Sequence, residues 1–189
     1  VEDYVSDVEL NGADTTRLAF AHRRKDVFAL NQAIRAALRT SGPSTDDTIV
    51  ETATGPRAFA QGDRVVFTQN DKSLGVKNGQ LGVIERSTET EMRVRLDGDP
   101  RQAITFKPKK FTAIDHGYAV TIHKSQGATV HRSFVLASRS MDDPLTYVAM
   151  TRHRHDASLY IIREDQPSWV CGNVRSRPSQ QRSNYGPKR

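Results

Sequence analysis

The sequence is short of the residues that staple or anchor a chain. Cys171 is its one cysteine, which excludes an internal disulfide and, with no Cys-x-x-Cys pair, leaves no signal for structural zinc. A reducing, cytoplasmic setting is the expectation. No apolar run approaches the roughly 20 residues that span a bilayer. The Gly-x-x-x-x-Gly-Lys-Ser/Thr loop, whose backbone and lysine cradle nucleotide phosphates, is missing. No acidic residue stands in a strand context that would suit a metal, and Asp142-Asp143 reads better as a helix cap. The sequence starts at Val1 with neither an initiator methionine nor a charged-then-apolar leader, and is expected to be a piece of something longer.

What is there suits a well-solvated globular chain. Of 189 residues, 36% are hydrophobic and 26% charged, enough for one ordinary domain or two small ones. The net charge of +6 points to an anionic partner only until its location is considered. Five of the 28 basic residues (Arg175, Arg177, Arg182, Lys188, Arg189) follow Gln166 without an acidic one, leaving 23 basic against 22 acidic groups in the preceding 165 residues. A nucleic-acid site in that nearly neutral body must be a local patch. The Ser-, Pro-, Arg- and Gln-rich tail from Gln166 has too little apolar content to order itself.

Periodicity divides the body into three stretches. Arg17–Ala21 has strand length and is followed by the polar cluster His22–Lys25. From Asp26, a candidate N-cap, Val27, Leu30, Ile34, Ala37 and Leu38 recur at helical spacing until Ser41-Gly42-Pro43. Thr48–Thr52 suits another strand. Between Phe59 and Phe111 the period shortens, predicting strands at Arg64–Thr68, Gly79–Arg86, Met92–Leu96 and Ala103–Phe106 with turns at Asn78-Gly79 and Asp97-Gly98. Such a run of short strands suggests a small SH3-like barrel. Helical character returns over Tyr118–Gln126, with Gly127 placed as a left-handed cap. Ser133–Ala137 reads as a strand, Asp142-Asp143-Pro144 starts a helix running to about His153, and Ser158–Arg163 closes the ordered part. The expected organisation is an α/β layer over 1–57 and 113–165, an inserted barrel over 58–112 and a tail over 166–189.

Three strings carry chemistry. On a helix, Thr121, Lys124 and Ser125 of Thr-Ile-His-Lys-Ser-Gln-Gly would share one face, setting a cation and two hydroxyls towards phosphate. Leu145, Val148, Ala149 and Arg152 would form one stripe ending in a guanidinium. His22–Lys25 is a basic cluster between a strand and a helix, with Arg23 and Arg24 as equal alternatives. Lys107, Lys109 and Lys110 form a basic group better read as surface.

In chain order the three strings, His22–Lys25, Thr121–Gly127 and Tyr147–Arg152, resemble motifs IV, V and VI of superfamily 1 DNA helicases, especially the RecD-like branch and its TraA-type conjugative relaxase-helicases. Gly62–Asn70 and Gly75–Gly82 resemble the barrel of the same proteins. The resemblance implies a RecA-like second motor domain with an inserted SH3-like barrel. By it, Thr121, His123, Lys124 and Ser125 would face single-stranded DNA, with Asn70, Lys72 and Lys77 as further contacts. Gln126 and Gly127 would border the ATP phosphates, and Arg152, with Arg24, would reach the nucleotide as a catalytic arginine. Ala128 departs from the glutamate many relatives carry there. The implied partners are single-stranded DNA and an upstream ATP-binding domain of the same polypeptide, with ATP and Mg2+ as cofactors of the full-length protein and none bound by this chain alone. A competing reading is a non-enzymatic binding module built around the barrel.

Overall fold

The computed structural model describes residues 1–12, 15–41, 46–98, 102–125 and 129–161. In chain order the elements are α1 (Glu2–Asn11), β1 (Arg17–Ala21), α2 (Arg24–Ser41), β2 (Thr48–Thr52), β3 (Gly55–Phe59) and β4 (Arg64–Phe67). There follow β5 (Leu81–Ser87), β6 (Met92–Leu96), β7 (Ala103–Phe106), β8 (Ile114–His116), β9 (Ala119–Thr121) and a 3-10 turn (Ile122–Ser125). β10 (Val130–Ala137), α3 (Asp143–Met150) and β11 (His153–Ile161) complete the described chain. Two compact units result, one of Val1–Ile34 with the chain from Ala119, the other of Arg35–Tyr118.

The first unit is built on a parallel sheet in the order β11-β10-β1-β9. Parallel sheets bury both faces, and all five residues of β1 are buried accordingly. The chain leaves β1 towards β9, then returns past it to β10 and β11. α3 packs on β10, β11 and the 3-10 turn.

α1 has no apolar stripe to announce it; polar contacts hold it. Asp7 is buried and serves both Arg17, on Nε, and Arg132, whose Nε lies 3.0 Å away. Arg17 also donates to the Asp7 carbonyl at 2.7 Å, Asn11 caps the carboxylate at 2.8 Å, and the Tyr4 ring meets Phe134 at 5.2 Å. α2 begins two residues before the expected N-cap. Asp26 therefore lies inside its first turn, where its carboxylate accepts from Arg23 Nε at 2.6 Å.

The second unit holds the antiparallel pair β2-β3 and a five-stranded antiparallel sheet in the order β7-β6-β5-β4-β8. β4 to β7 form a meander, and β8 returns to the free side of β4. Phe59, Val65, Phe67, Ile84, Met92, Val94, Leu96 and Ile114 are its buried core. β6 and β7 match their sequence-based ranges, while β3 and β8 were not anticipated. Gly79 and Gly98 take positive φ, 85° and 96°, at the two turns the sequence marks.

Three readings are corrected. Tyr118–Gln126 is not a helix: Ala119–Thr121 is a strand and Ile122–Ser125 a single 3-10 turn. Val120 and Thr121 are β-branched, and they extend beside β1 instead of coiling. α3 stops at Met150, so Arg152 and His153 are not helical. β10 and β11 begin earlier than expected, at Val130 and His153. Gln126, Gly127, Ala128, the Gly42-Pro43 stop, Ile162-Arg163 and the tail from Gln166 lie outside the described residues.

Candidate functional site

The carboxyl ends of β1 and β9 lie side by side, with Ala21 in register with Thr121. The next residues bring the His22 and His123 rings to 5.8 Å. His22 is half-buried and its Nδ1 is buried without a hydrogen-bond partner among the described residues; His123 is exposed. Thr121 is half-buried at the strand end, and Lys124 and Ser125 complete the turn that follows. Because no helix joins Thr121 to Ser125, the single helical face expected for them does not exist. Arg23 is half-buried and tied to Asp26, whereas Arg24, the first residue of α2, is exposed together with Lys25.

A contact with no sequence signature fixes this corner. Asn31, on α2, is 6% exposed. Its amide donates to the Ala119 carbonyl at 2.9 Å and accepts from the Ala119 N–H at 2.8 Å. Ala119 is two residues before Thr121.

Arg152 lies at the other end of the strands. Its carbonyl accepts from Val130 N–H at 3.0 Å, where β10 begins and β11 is about to. Asp142 caps α3 through Leu145 N–H at 2.9 Å, with Pro144 in the first turn, as the sequence suggested. Ala149 is buried, Leu145 and Val148 are half-buried and Tyr147 is 72% exposed. Arg152 is half-buried, and its Nε, like His153 Nδ1, is buried without a hydrogen-bond partner among the described residues. Thr121 and Arg152 thus occupy opposite ends of one parallel sheet.

In the second unit, the segment from Asn70 to Gln80 is a pinned loop. Asn70 Oδ1 accepts from Asn78 N–H at 2.7 Å, and Asp71 pairs with Val76 through both backbone bonds. The Ser73 hydroxyl, with the Leu74 and Ser73 N–H groups, holds the Asp71 carboxyl below its usual range. Lys72 and Lys77 are exposed on this loop, and Lys107, Lys109 and Lys110 are exposed elsewhere in the unit. Asn70 therefore spends its carbonyl on the fold. Among the described residues no group of three or more His, Cys, Asp or Glu could hold a metal ion, and no helix is long and apolar enough to cross a membrane.

No family model matches the chain. It is 48% identical over 146 residues to the conjugal transfer protein TraA of Agrobacterium fabrum, an alignment covering 77% of this chain and 13% of that protein. It is 32% identical over 143 residues to the RecBCD enzyme subunit RecD of Mycolicibacterium smegmatis, covering 74% of this chain and 24% of that one. The chain thus spans only a small part of the relatives it matches. Among solved structures, the Pif1 helicase from Bacteroides in complex with ADP-AlF3 and ssDNA superposes with a TM-score of 0.57 at 22% identity, over 80% of this chain and 42% of that one. The α/β fold is that of the RecA-like superfamily 1 helicases. The chain is a homologue of a segment of the TraA conjugal transfer proteins and, with them, of the RecD- and Pif1-type superfamily 1 helicases.

Proposed function

We propose that the chain is the second lobe of an ATP-driven DNA helicase motor, set around a small SH3-like barrel and working against a nucleotide-holding lobe elsewhere in the same cytoplasmic polypeptide. In this reading the five-stranded sheet of β4 to β8 is the barrel, falling within 58–112 and the strand that follows, and the parallel sheet carries the motor. Thr121, His123, Lys124 and Ser125 hold the single-stranded DNA backbone, and Lys72 and Lys77, on the loop that Asn70 pins, supply a second grip. Gln126 and Gly127 border the nucleotide, and Arg152 is the arginine finger with Arg24 as a further cation. ATP and Mg2+ belong to the full-length protein, and this chain alone does not hydrolyse ATP.

The observation that carries the reading is the end of β9. The string resembling motif V leaves the carboxyl edge of a parallel sheet beside β1, where open α/β sheets take their ligands. Support for separate duties comes from Arg152, whose Nε is buried yet uncommitted to any hydrogen bond among the described residues. A guanidinium placed on a transferring phosphoryl group is worth on the order of 10³–10⁵ in rate, and its planar fork is not matched by lysine.

The test is a pair of variants in the full-length protein. Arg152→Ala and Arg152→Lys are expected to lower DNA-stimulated ATP hydrolysis about a thousandfold or more with DNA affinity retained. Thr121→Ala is expected to weaken DNA binding with a far smaller effect on hydrolysis at saturating DNA. A binding module that is not part of a motor predicts no change in any ATPase, and that result sinks the reading.

A further inference from the structure

β9 is the last strand of the parallel sheet. On its outer side the backbone groups of alternate residues point away from β1 and find no ladder partner among the described residues. Ala119 is such a residue, since its N–H and C=O both go to the side chain of Asn31. A primary amide has the donor and acceptor of a peptide group, so Asn31 stands in for one residue of a missing neighbouring strand. The substitution is tight: Asn31 is 6% exposed and Ala119 is 1% exposed.

The place of this clamp gives it a consequence beyond satisfying an edge. Thr121 stands two residues on, roughly 7 Å along the strand, and the 3-10 turn bearing His123 follows immediately. β9 is three residues long, with Thr121 paired only to Ala21 at its end. The β1 ladder and the Asn31 side chain therefore hold the backbone of β9, from which the candidate DNA-binding turn departs, while α3 packs on the turn itself. Asparagine is specific here. Aspartate has no N–H to offer the Ala119 carbonyl, and leucine, of similar volume, offers neither group.

We propose that Asn31 is a positioning residue for DNA engagement: by clamping both peptide groups of Ala119 it fixes the strand end that presents Thr121 and His123 to the DNA backbone. This rests on the reading of that turn as part of the DNA track. It assigns Asn31 no contact with DNA or nucleotide.

The test is DNA-stimulated ATP hydrolysis by the full-length protein, read as the concentration of single-stranded oligonucleotide giving half-maximal stimulation and, separately, the maximal rate. Misplacing a binding group by a fraction of an ångström to an ångström costs about ten- to a hundredfold. Asn31→Leu is therefore expected to raise the half-saturating DNA concentration by about tenfold or more, with a maximal rate within about twofold of the parent. Asn31→Asp keeps the acceptor for the Ala119 N–H and is expected to shift the same quantity in the same direction, by less; it carries the test alone if Asn31→Leu does not fold.

Thr121→Val separates the two claims. A shift with Thr121→Val but none with either Asn31 variant overturns the positioning role and leaves the DNA-track reading standing. A loss of maximal rate at unchanged half-saturation likewise overturns it, because a purely structural residue lowers only the active fraction. No shift with Thr121→Val overturns the DNA-track reading itself, and the positioning role with it.

Discussion

The Tyr118 hydroxyl donates to Asp63 Oδ1 at 2.8 Å, deep in the second unit. The other oxygen of the same carboxylate accepts from Ala60 N–H at 2.8 Å and from Arg35 Nε at 2.9 Å. Burial works against the Arg35 charge, but its bonds to Asp47 and Asp63 outweigh that and raise its pKa above the ordinary value. Asp63 is 3% exposed, so its removal takes away the acceptor of Arg35 Nε, of the Tyr118 hydroxyl and of Ala60 N–H, with Asp47 still bonded to the Arg35 guanidinium.

Asp63→Ala is accordingly expected to destabilise the fold by about 3–5 kcal/mol, and Tyr118→Phe by about 1–2 kcal/mol. Chemical denaturation midpoints compared at constant slope measure both. A change below about 0.5 kcal/mol for Asp63→Ala would show that its three donors find other acceptors.

The pair Asp7 and Arg17 makes a similar point with a different outcome. Both are buried, at 6% and 4% exposure. Breaking the pair with Asp7→Ala strands a charge and is expected to cost about 3–5 kcal/mol, whereas replacing both with Asp7→Leu and Arg17→Met is expected to recover much of that loss. Arg132 and Asn11, which also use the Asp7 carboxylate, limit the recovery. A double variant no more stable than Asp7→Ala would contradict the account.

His116 gives the second unit a pH dependence whose sign can be worked out. Desolvation is the main cause lowering its pKa from 6.5, opposed by the bond to the Ala58 carbonyl and by Asp63 and Asp115, and assisted by Arg35. Nε2 donates to that carbonyl at 2.9 Å and the ring packs edge-on against Phe59 at 4.8 Å. The folded state therefore binds the proton less readily than the unfolded chain. Its contribution to stability is present above pH 6.5 and is lost as pH falls below that value through the folded pKa. Denaturation midpoints between pH 7.5 and pH 5 are expected to fall less steeply for His116→Gln than for the parent; equal slopes would refute the assignment.

Gly117 owes its identity to a close approach and not to a turn. A Cβ there would lie 2.5 Å from the Val65 carbonyl carbon and 2.6 Å from its oxygen, where β8 pairs with β4 and the Gly117 N–H donates to Arg64 at 2.8 Å. Backbone atoms cannot rotate away as a side chain can. Gly117→Ala is expected to cost about 1–3 kcal/mol, with Gly62→Ala as a contrasting case: open space there, but a φ of 89° that L residues resist. Thermal melting of the two variants distinguishes clash from strain; an undiminished Tm for Gly117→Ala would show that the β4–β8 pairing yields without loss.

These residues also explain which parts of the molecule were legible in the sequence. α2 advertises itself by Val27, Leu30, Ile34, Ala37 and Leu38 at helical spacing, and β6 and β7 by alternation between marked turns. α1 has no such stripe; its anchor is Asp7 reaching Arg17 and Arg132, a tertiary match invisible to any local window. The segment after Gly117 misled for the opposite reason. Its apolar run fits two periods, and the neighbour that decides between them, β1, is about a hundred positions away. Gly117 gives no cue either, because a window cannot distinguish a glycine needed for close packing from one needed for a turn. In the candidate site the motif residues could be named through the resemblance of their strings. Asn31 could not, since nothing about an asparagine on a helix announces that it will complete the edge of a sheet.

That same asparagine bears on how the protein could be cut and rejoined. Ile34 follows Asn31 by three positions, about 4.5 Å along the helix axis, and Asn31 is in direct contact with Ala119. The points where the chain leaves and regains its parallel-sheet unit are therefore neighbours. A few glycine and serine residues suffice to bridge them in place of Arg35–Tyr118, which makes this junction a natural seam for transplanting a different small β-unit into the parallel-sheet fold.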